Sequence, residues 1–195
     1  TKIALVDGRN LSFKELIKED KQGKNNYCYT MRDNGHIGIE QILHPRITKR
    51  NAEVIKIILD NNEELVCTPD HKFMLRDGSF IQAKNLTNKI SLMPLRKKIS
   101  EIKNRITISG YEMIFNPKTH KWIFTHMLAD KYNLENGKYI EKDGSHRHHV
   151  DYNKLNNNPN NLTRLTSEKH LELHRKHISK TLHTKEAIEK CNKIK

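Results

Sequence analysis

The sequence predicts an α+β protein in two units, a β-rich first half followed by a small ββα unit. Three observations predict it. Turn signals recur about every ten residues up to residue 95 and separate short apolar, β-branched runs. From about residue 109 the pattern changes to paired strand-like runs followed by helices, the last bearing histidines at helical spacing. The charge divides in the same region: of 36 Lys/Arg and 23 Asp/Glu in 195 residues, residues 1–95 hold 15 and 12, and residues 96–195 hold 21 and 11. The net charge of +13 is therefore +3 in the first half and +10 in the second. Nine of the twelve histidines also lie in the second half, six of them between His146 and His177.

A strong positive excess points to a polyanionic partner, most often nucleic acid. No apolar run reaches the ~18 residues of a membrane span, and no signal-peptide pattern opens the chain, so membrane insertion and secretion are disfavoured. A cytoplasmic setting in a bacterium or phage-infected cell is expected. The three cysteines, Cys28, Cys67 and Cys191, are far apart and form no Cys-x-x-Cys pair. They suggest neither a disulfide scaffold nor a thiolate zinc site.

In the first half, Lys2 to Val6 reads as a strand stopped by Asp7-Gly8. Ser12-Phe13-Lys14-Glu15 is a capping box that opens a helix to about Lys18. Tyr27 to Met31 and His36 to Ile42 flank the turn Asp33-Asn34-Gly35. Val54 to Leu59 and Leu65 to Cys67 flank Asp60-Asn61-Asn62, and Phe73 to Leu75 and Phe80-Ile81 flank Arg76-Asp77-Gly78. The regular spacing argues for a compact all-β unit.

One segment there carries chemistry. In Cys67-Thr68-Pro69-Asp70-His71, a hydroxyl and an imidazole three residues apart at a strand end can act on one peptide group. The first polarises and the second moves a proton, as activation of a main-chain bond requires. With the opening Thr1 to Gly8, the short helix, the strand at Glu53-Val54, and the closing Ala83 to Leu86 and Met93-Pro94-Leu95, this order resembles the N-terminal half of an intein, the Hint splicing fold. The resemblance covers residues 1–95 and makes Thr68 and His71 its catalytic residues. An intein begins on a nucleophilic Cys or Ser and ends on His-Asn. Here the chain opens on Thr1 and closes Cys191-Asn192-Lys193-Ile194-Lys195, so the nucleophile is expected a few residues upstream. The chain as given is not expected to splice. It reads as a trimmed fragment or as one piece of a split intein.

In the second half, Arg96-Lys97-Lys98, with Lys103 and Arg105 after it, reads as a basic linker or a groove contact. Tyr111 to Phe115 and Lys121 to Phe124 are strands around Asn116-Pro117-Lys118. His126 to Asn133 is a short helix with Met127, Leu128 and Tyr132 inward. After His146-Arg147-His148-His149-Val150-Asp151-Tyr152-Asn153 comes an Asn-rich loop, Asn156 to Asn161. A strand, Leu162 to Leu165, then leads to a helix capped by Ser167. His170, His174 and His177 share one face of that helix. Two imidazoles a turn apart can hold one metal ion, and the preceding strand end can add His148 or His149. The Asn-rich loop favours side-chain-to-backbone bonds that fix that strand end.

The run His148 to Leu162, with Ser167-Glu168-Lys169-His170 and His174, resembles the HNH nucleases of the ββα-metal type, in particular homing endonucleases of phage and intein origin. The resemblance covers about residues 109–180. It implies His149 as the general base that deprotonates water, and Asn161 as the residue that orients the loop and the base. It implies His148 and His170 as metal ligands, and His174 as a ligand or a phosphate contact. Tyr152 stands where the family has Gly, a change expected to be tolerated. One divalent metal ion is implied, Mg²⁺ or Mn²⁺ by family usage, with Zn²⁺ as the alternative that imidazole favours. Arg147, Lys154, Arg164, Arg175 and Lys176 flank the site as phosphate contacts.

The sequence thus divides into a partial Hint domain at 1–95, an HNH domain at 96–183 and a helical basic tail at 184–195. The tail resembles the start of the small DNA-binding modules appended to such nucleases. The expected activity is hydrolysis of DNA phosphodiester bonds. The expected partners are double-stranded DNA, the remainder of the intein and its host exteins, with no membrane. Two alternatives stand beside it: an autoprocessing fragment with an inactive nuclease, and a zinc-stabilised DNA-binding module.

Overall fold

A computed structural model describes residues 1–182 of the chain. The predicted tail at 184–195 and Cys191 lie outside the described residues. Among the described residues, thirteen short strands and three α-helices make an α+β arrangement, and every pairing between these strands is antiparallel. Strands β1 (Lys2–Ala4) and β2 (Asn10–Ser12) form the first hairpin. Helix α1 (Phe13–Lys21) follows, and its capping box is formed: the Glu15 amide donates to the Ser12 hydroxyl, and the Glu15 carboxylate accepts from the Ser12 amide. Strands β3 (Tyr27–Met31) and β4 (Ile37–Gln41) close around Gly35, whose φ of 76° is the left-handed conformation this turn requires.

Two further hairpins occupy the middle of the chain, β5 (Ile55–Ile58) with β6 (Glu64–Cys67) and β7 (Lys72–Met74) with β8 (Phe80–Gln82). The second half opens with a strand where the sequence suggests a linker. Lys97–Ile99 is β9, and it pairs with β10 (Glu112–Asn116), which pairs in turn with β11 (Lys121–Phe124). Three successive charged or apolar residues with no alternation hid it. Helix α2 (Thr125–Glu135) follows, then β12 (His146–His149), β13 (Leu162–Leu165) and α3 (Ser167–Leu182).

One buried apolar cluster joins both sides of position 95. Val6, Tyr27, Ile37 and Ile39 pack with Ile114, Leu128, Ala129 and Leu162. Helix α2 lies at its centre, against β4, β10, β11 and β13. Its inward residues are Leu128 and Ala129, with Tyr132 at the margin; Met127, expected inward, is exposed. Residues 1–41 are therefore not a self-contained β unit, since their apolar face is covered by the second half. The two central hairpins differ. Between residues 43 and 95, Ala83 is the single buried hydrophobic among the described residues, while Ile58, Val66 and Phe80 stand exposed. A two-stranded ribbon covers neither of its faces by itself. The β5–β6 hairpin is tied to the chain's start by Thr1, whose hydroxyl donates to the Val66 carbonyl and accepts from the Val66 amide.

Candidate functional site

Strands β12 and β13 form a ribbon on which α3 packs, and alternation along β12 sorts four polar side chains onto its two faces. His146 and His148 face α3. The Thr166 hydroxyl accepts from the Lys169 amide, so the helix is capped one residue before the predicted Ser167. That start places His170 and His174 one turn apart, with their Nε2 atoms 3.2 Å apart. A ring nitrogen of each of His148, His170 and His174 lies within 4.8 Å of the others. Their ring centroids are 5.4 Å (His148 to His170), 5.3 Å (His148 to His174) and 4.5 Å (His170 to His174) apart.

Burial and the neighbouring imidazoles push His148 down to about 4, and His170 is lowered by the same causes. The lowered values favour neutral imidazoles at His148 and His170, with a lone pair free to bind, as metal ligands require. His146 stacks on His170 at 5.0 Å. Tyr152, at the position where the resemblance to HNH nucleases expects Gly, has φ 60°, the left-handed region in which a side chain is strained. Its ring stacks on His177 at 3.7 Å and meets His148 and His174 edge-on, and its hydroxyl donates to the Leu173 carbonyl. These contacts dock α3 on the loop and offset the strain.

His149 faces the other way. It is 6% exposed, and its Nε2 donates to Asn157 Oδ1 at 3.2 Å, leaving Nδ1 as the acceptor. Burial lowers its pKa, which favours the neutral imidazole. Tyr111 and His126 lie around it, their ring centroids 6.0 and 5.9 Å from its own. His126 is itself buried, with Nδ1 unpartnered, and burial pushes it down to about 4.

The asparagine roles divide. Asn161 donates to the Asp151 carboxylate (2.8 Å) and to the Asn156 carbonyl (2.9 Å), and its Oδ1 accepts from the Asp151 amide. It fixes the loop. The residue on the imidazole is Asn157, 1% exposed, whose backbone N–H donates to the Val6 carbonyl at 3.0 Å. Within a run of six residues containing five asparagines, spacing alone could not single it out.

The predicted cations also divide. Arg164 is buried and forks onto Asp130 with contacts of 2.8 and 2.7 Å, so it holds α2 to β13 and is corrected from a surface phosphate clamp to an internal ion pair. Arg147 reaches the same carboxylate at 3.0 Å and donates to the Ser145 carbonyl. Burial pushes the Asp130 carboxyl up, but the bonds from Arg164, Arg147 and Tyr139 outweigh it and hold it below the usual range. Lys154, Arg175 and Lys176 are on the surface. Lys154 sits over the Tyr111 ring, and Lys176 pairs with Glu172 at 2.6 Å.

Thr68 and His71 share the turn between β6 and β7. The His71 amide donates to the Thr68 carbonyl at 3.1 Å, and the Asp70 carboxylate accepts from the Thr68 side chain. The His71 ring meets Phe73 edge-on at 4.9 Å. These contacts are local to the turn, and Thr1 lies against Val66, two residues before Thr68. No helix among the described residues is long and apolar enough to cross a membrane.

No family model matches the chain. It is similar to the DNA gyrase B subunit of Synechocystis sp., with 57% identity over 195 residues, 100% of this chain. The chain spans 18% of that relative's length.

Proposed function

We propose that the chain is a metal-dependent DNA endonuclease of the HNH type, carried within an intein. The observation that carries this reading is the convergence of His148, His170 and His174 from a β-ribbon and the helix after it, with His149 next in sequence on an asparagine. The donor set fits a divalent ion. Three imidazoles with no carboxylate suit Mn²⁺ or Zn²⁺ better than Mg²⁺, which prefers oxygen ligands.

Phosphodiester hydrolysis needs an activated water and relief of charge on the phosphate and the leaving oxygen. His149 takes the water proton. With Nε2 committed to Asn157, Nδ1 is the accepting nitrogen, and burial keeps it neutral near pH 7. Such proton transfer contributes about 10² to 10⁴ in rate. Asn157 fixes the ring, and Asn161 fixes the loop that carries Asn157. The ion, when bound by the three histidines, supplies Lewis acidity at the phosphate. A match confined to 18% of a longer relative fits a segment carried inside a larger host.

Nicking of supercoiled plasmid in Mn²⁺ tests the reading. The wild-type chain is expected to relax the plasmid, and His149→Ala to do so about 100-fold more slowly or worse. Equal nicking by the two would remove His149 as base, and no nicking by the wild type would remove the nuclease.

A second reading, autoprocessing, has its own observation: Thr1 is bound to Val66 beside the Thr68–His71 turn, so the start of the chain passes the residues that would act on a peptide bond. Restoring the flanking segments and looking for ligated exteins tests it, and splicing that survives His71→Ala would exclude His71.

A further inference from the structure

The basic run at Arg96 to Lys98, left without a role by the histidine site, lies in a sheet whose two faces differ in chemistry. In β10, Glu112, Ile114 and Asn116 are buried against the body. Met113 and Phe115 face the other way, where Met113 is covered by its neighbours and Phe115 is half-buried. The register places Lys98 beside Met113 and Met113 beside Phe124, and places Phe115 beside Trp122. The Phe115 amide donates to the Arg96 carbonyl at 3.0 Å, which puts Arg96 on the same face.

There the Lys98 ammonium sits 4.3 Å from the Trp122 ring centroid, and the Arg96 guanidinium 5.7 Å from that of Phe115. The two rings support each other edge-on at 5.5 Å. The face continues toward the proposed base. Phe124 meets Tyr111 at 6.3 Å; Tyr111 carries the Lys154 ammonium at 5.0 Å and lies 6.0 Å from His149. The strands contain one carboxylate, Glu112, which turns to the opposite face and accepts from Tyr29 and Thr125.

A cation held over a ring is placed without being neutralised, and its N–H groups stay available to an anion. Arg164 is the contrast, since Asp130 neutralises it, and Arg147 shares the same carboxylate. We propose that the outer face of the β9–β10–β11 sheet is a phosphate track, on which the duplex DNA flanking the cleaved bond lies as it runs from Arg96 and Lys98 past Lys154 to His149. This rests on the nuclease reading, and it adds a binding surface to that site.

The test is the affinity of the whole chain for a short labelled duplex of mixed sequence, followed by fluorescence anisotropy across a salt series in EDTA, so that metal and cleavage play no part. Each phosphate contact adds about 0.9 to the slope of log affinity against log salt, so Arg96→Gln/Lys98→Gln is expected to lower that slope by about 2 and to weaken binding about tenfold or more. Lys18→Gln/Lys21→Gln on α1 removes the same charge from two exposed positions and is expected to change the slope by less than about half as much. Trp122→Leu keeps both cations and is expected to weaken binding a few-fold, through loss of the ring beneath Lys98. Thermal melts confirm that each variant is folded.

Wild-type slope and affinity in the Arg96/Lys98 variant, an equal loss in the α1 variant, or no binding by the wild type would each overturn the track. Plasmid nicking measured in parallel separates the two claims. Absent nicking with the salt effect intact overturns the nuclease alone, and His149-dependent nicking with no salt effect overturns the track alone.

Discussion

Two regions of this chain are built from the same kind of sequence and reach opposite ends. The hairpins β5–β6 and β7–β8 have short apolar strands and Asn- or Gly-bearing turns much like those of β3–β4. Yet Ile37 and Ile39 of β4 are buried, whereas Ile58, Val66 and Phe80 are exposed. The difference lies in what covers them. β4 meets α2, which also covers β10 and β13, and the cluster formed there has contributors from residue 6 to residue 162. No helix of the described residues packs comparably on the two central hairpins. Alternation specifies a face, and only a second element turns that face into a core.

That contrast can be broken at its strongest point first. Asp130→Ala strands the buried Arg164 guanidinium without a counter-charge and is expected to cost about 3–5 kcal/mol in chemical denaturation. On the hairpin arm, Lys56→Ala removes a contact of similar length, 2.6 Å to Glu64, between two exposed groups and is expected to cost less than about 1 kcal/mol. Comparable losses would mean that the arm has a buried side as well.

Acid should next find the body before the arm. His126 has its pKa pushed by burial to about 4, below the ~6.5 of an unfolded chain, so the unfolded state binds its proton first. Its neutral folded form is at full advantage above pH 6.5, and stability is lost as the pH falls from about 6.5 towards 4, by on the order of 3 kcal/mol. His126→Gln should flatten the stability curve in that window. An unchanged curve would show that this imidazole already carries its proton when folded. Below that window Glu19, held down to about 2 chiefly by Arg9, adds a separate acid loss of its own.

A smaller effect is expected at the loop. Asn157→Ala removes the bond to His149 and is expected to cost about 1–3 kcal/mol, with slower nicking, whereas Asn158→Ala, on the same run, should leave nicking unchanged. The smallest is expected on the arm, where Phe80→Ser and Ile58→Thr replace exposed side chains and should stay within about 0.5 kcal/mol of wild type in thermal melts.

What the sequence showed and what it hid follow the same division between local and distant causes. The Ser12–Glu15 capping box, the turn at Gly35 and the one-turn spacing of His170 and His174 are local, and the structure forms each of them. Strand β9 was hidden because its pairing partner lies a dozen residues on, past a loop longer than a hairpin turn. Asn157 was hidden among identical neighbours, and what distinguishes it is the carbonyl of Val6, some 150 residues away in sequence. Arg164 looked like any surface cation because Asp130, its partner, belongs to α2, 34 residues earlier in the chain. His126 carried no motif, and its burial comes from rings brought around it by the fold, Phe124, Tyr111 and His149.

Whether His148, His170 and His174 form one metal centre is decided by titrating the purified chain with Co²⁺ and following its visible absorption. Saturation at one equivalent and displacement by Zn²⁺ are expected, with the spectrum lost in His170→Ala and in His174→Ala and unaffected in His71→Ala. Absorption that survives both changes on α3, or no binding by the wild type, would show that these three imidazoles are not a metal site.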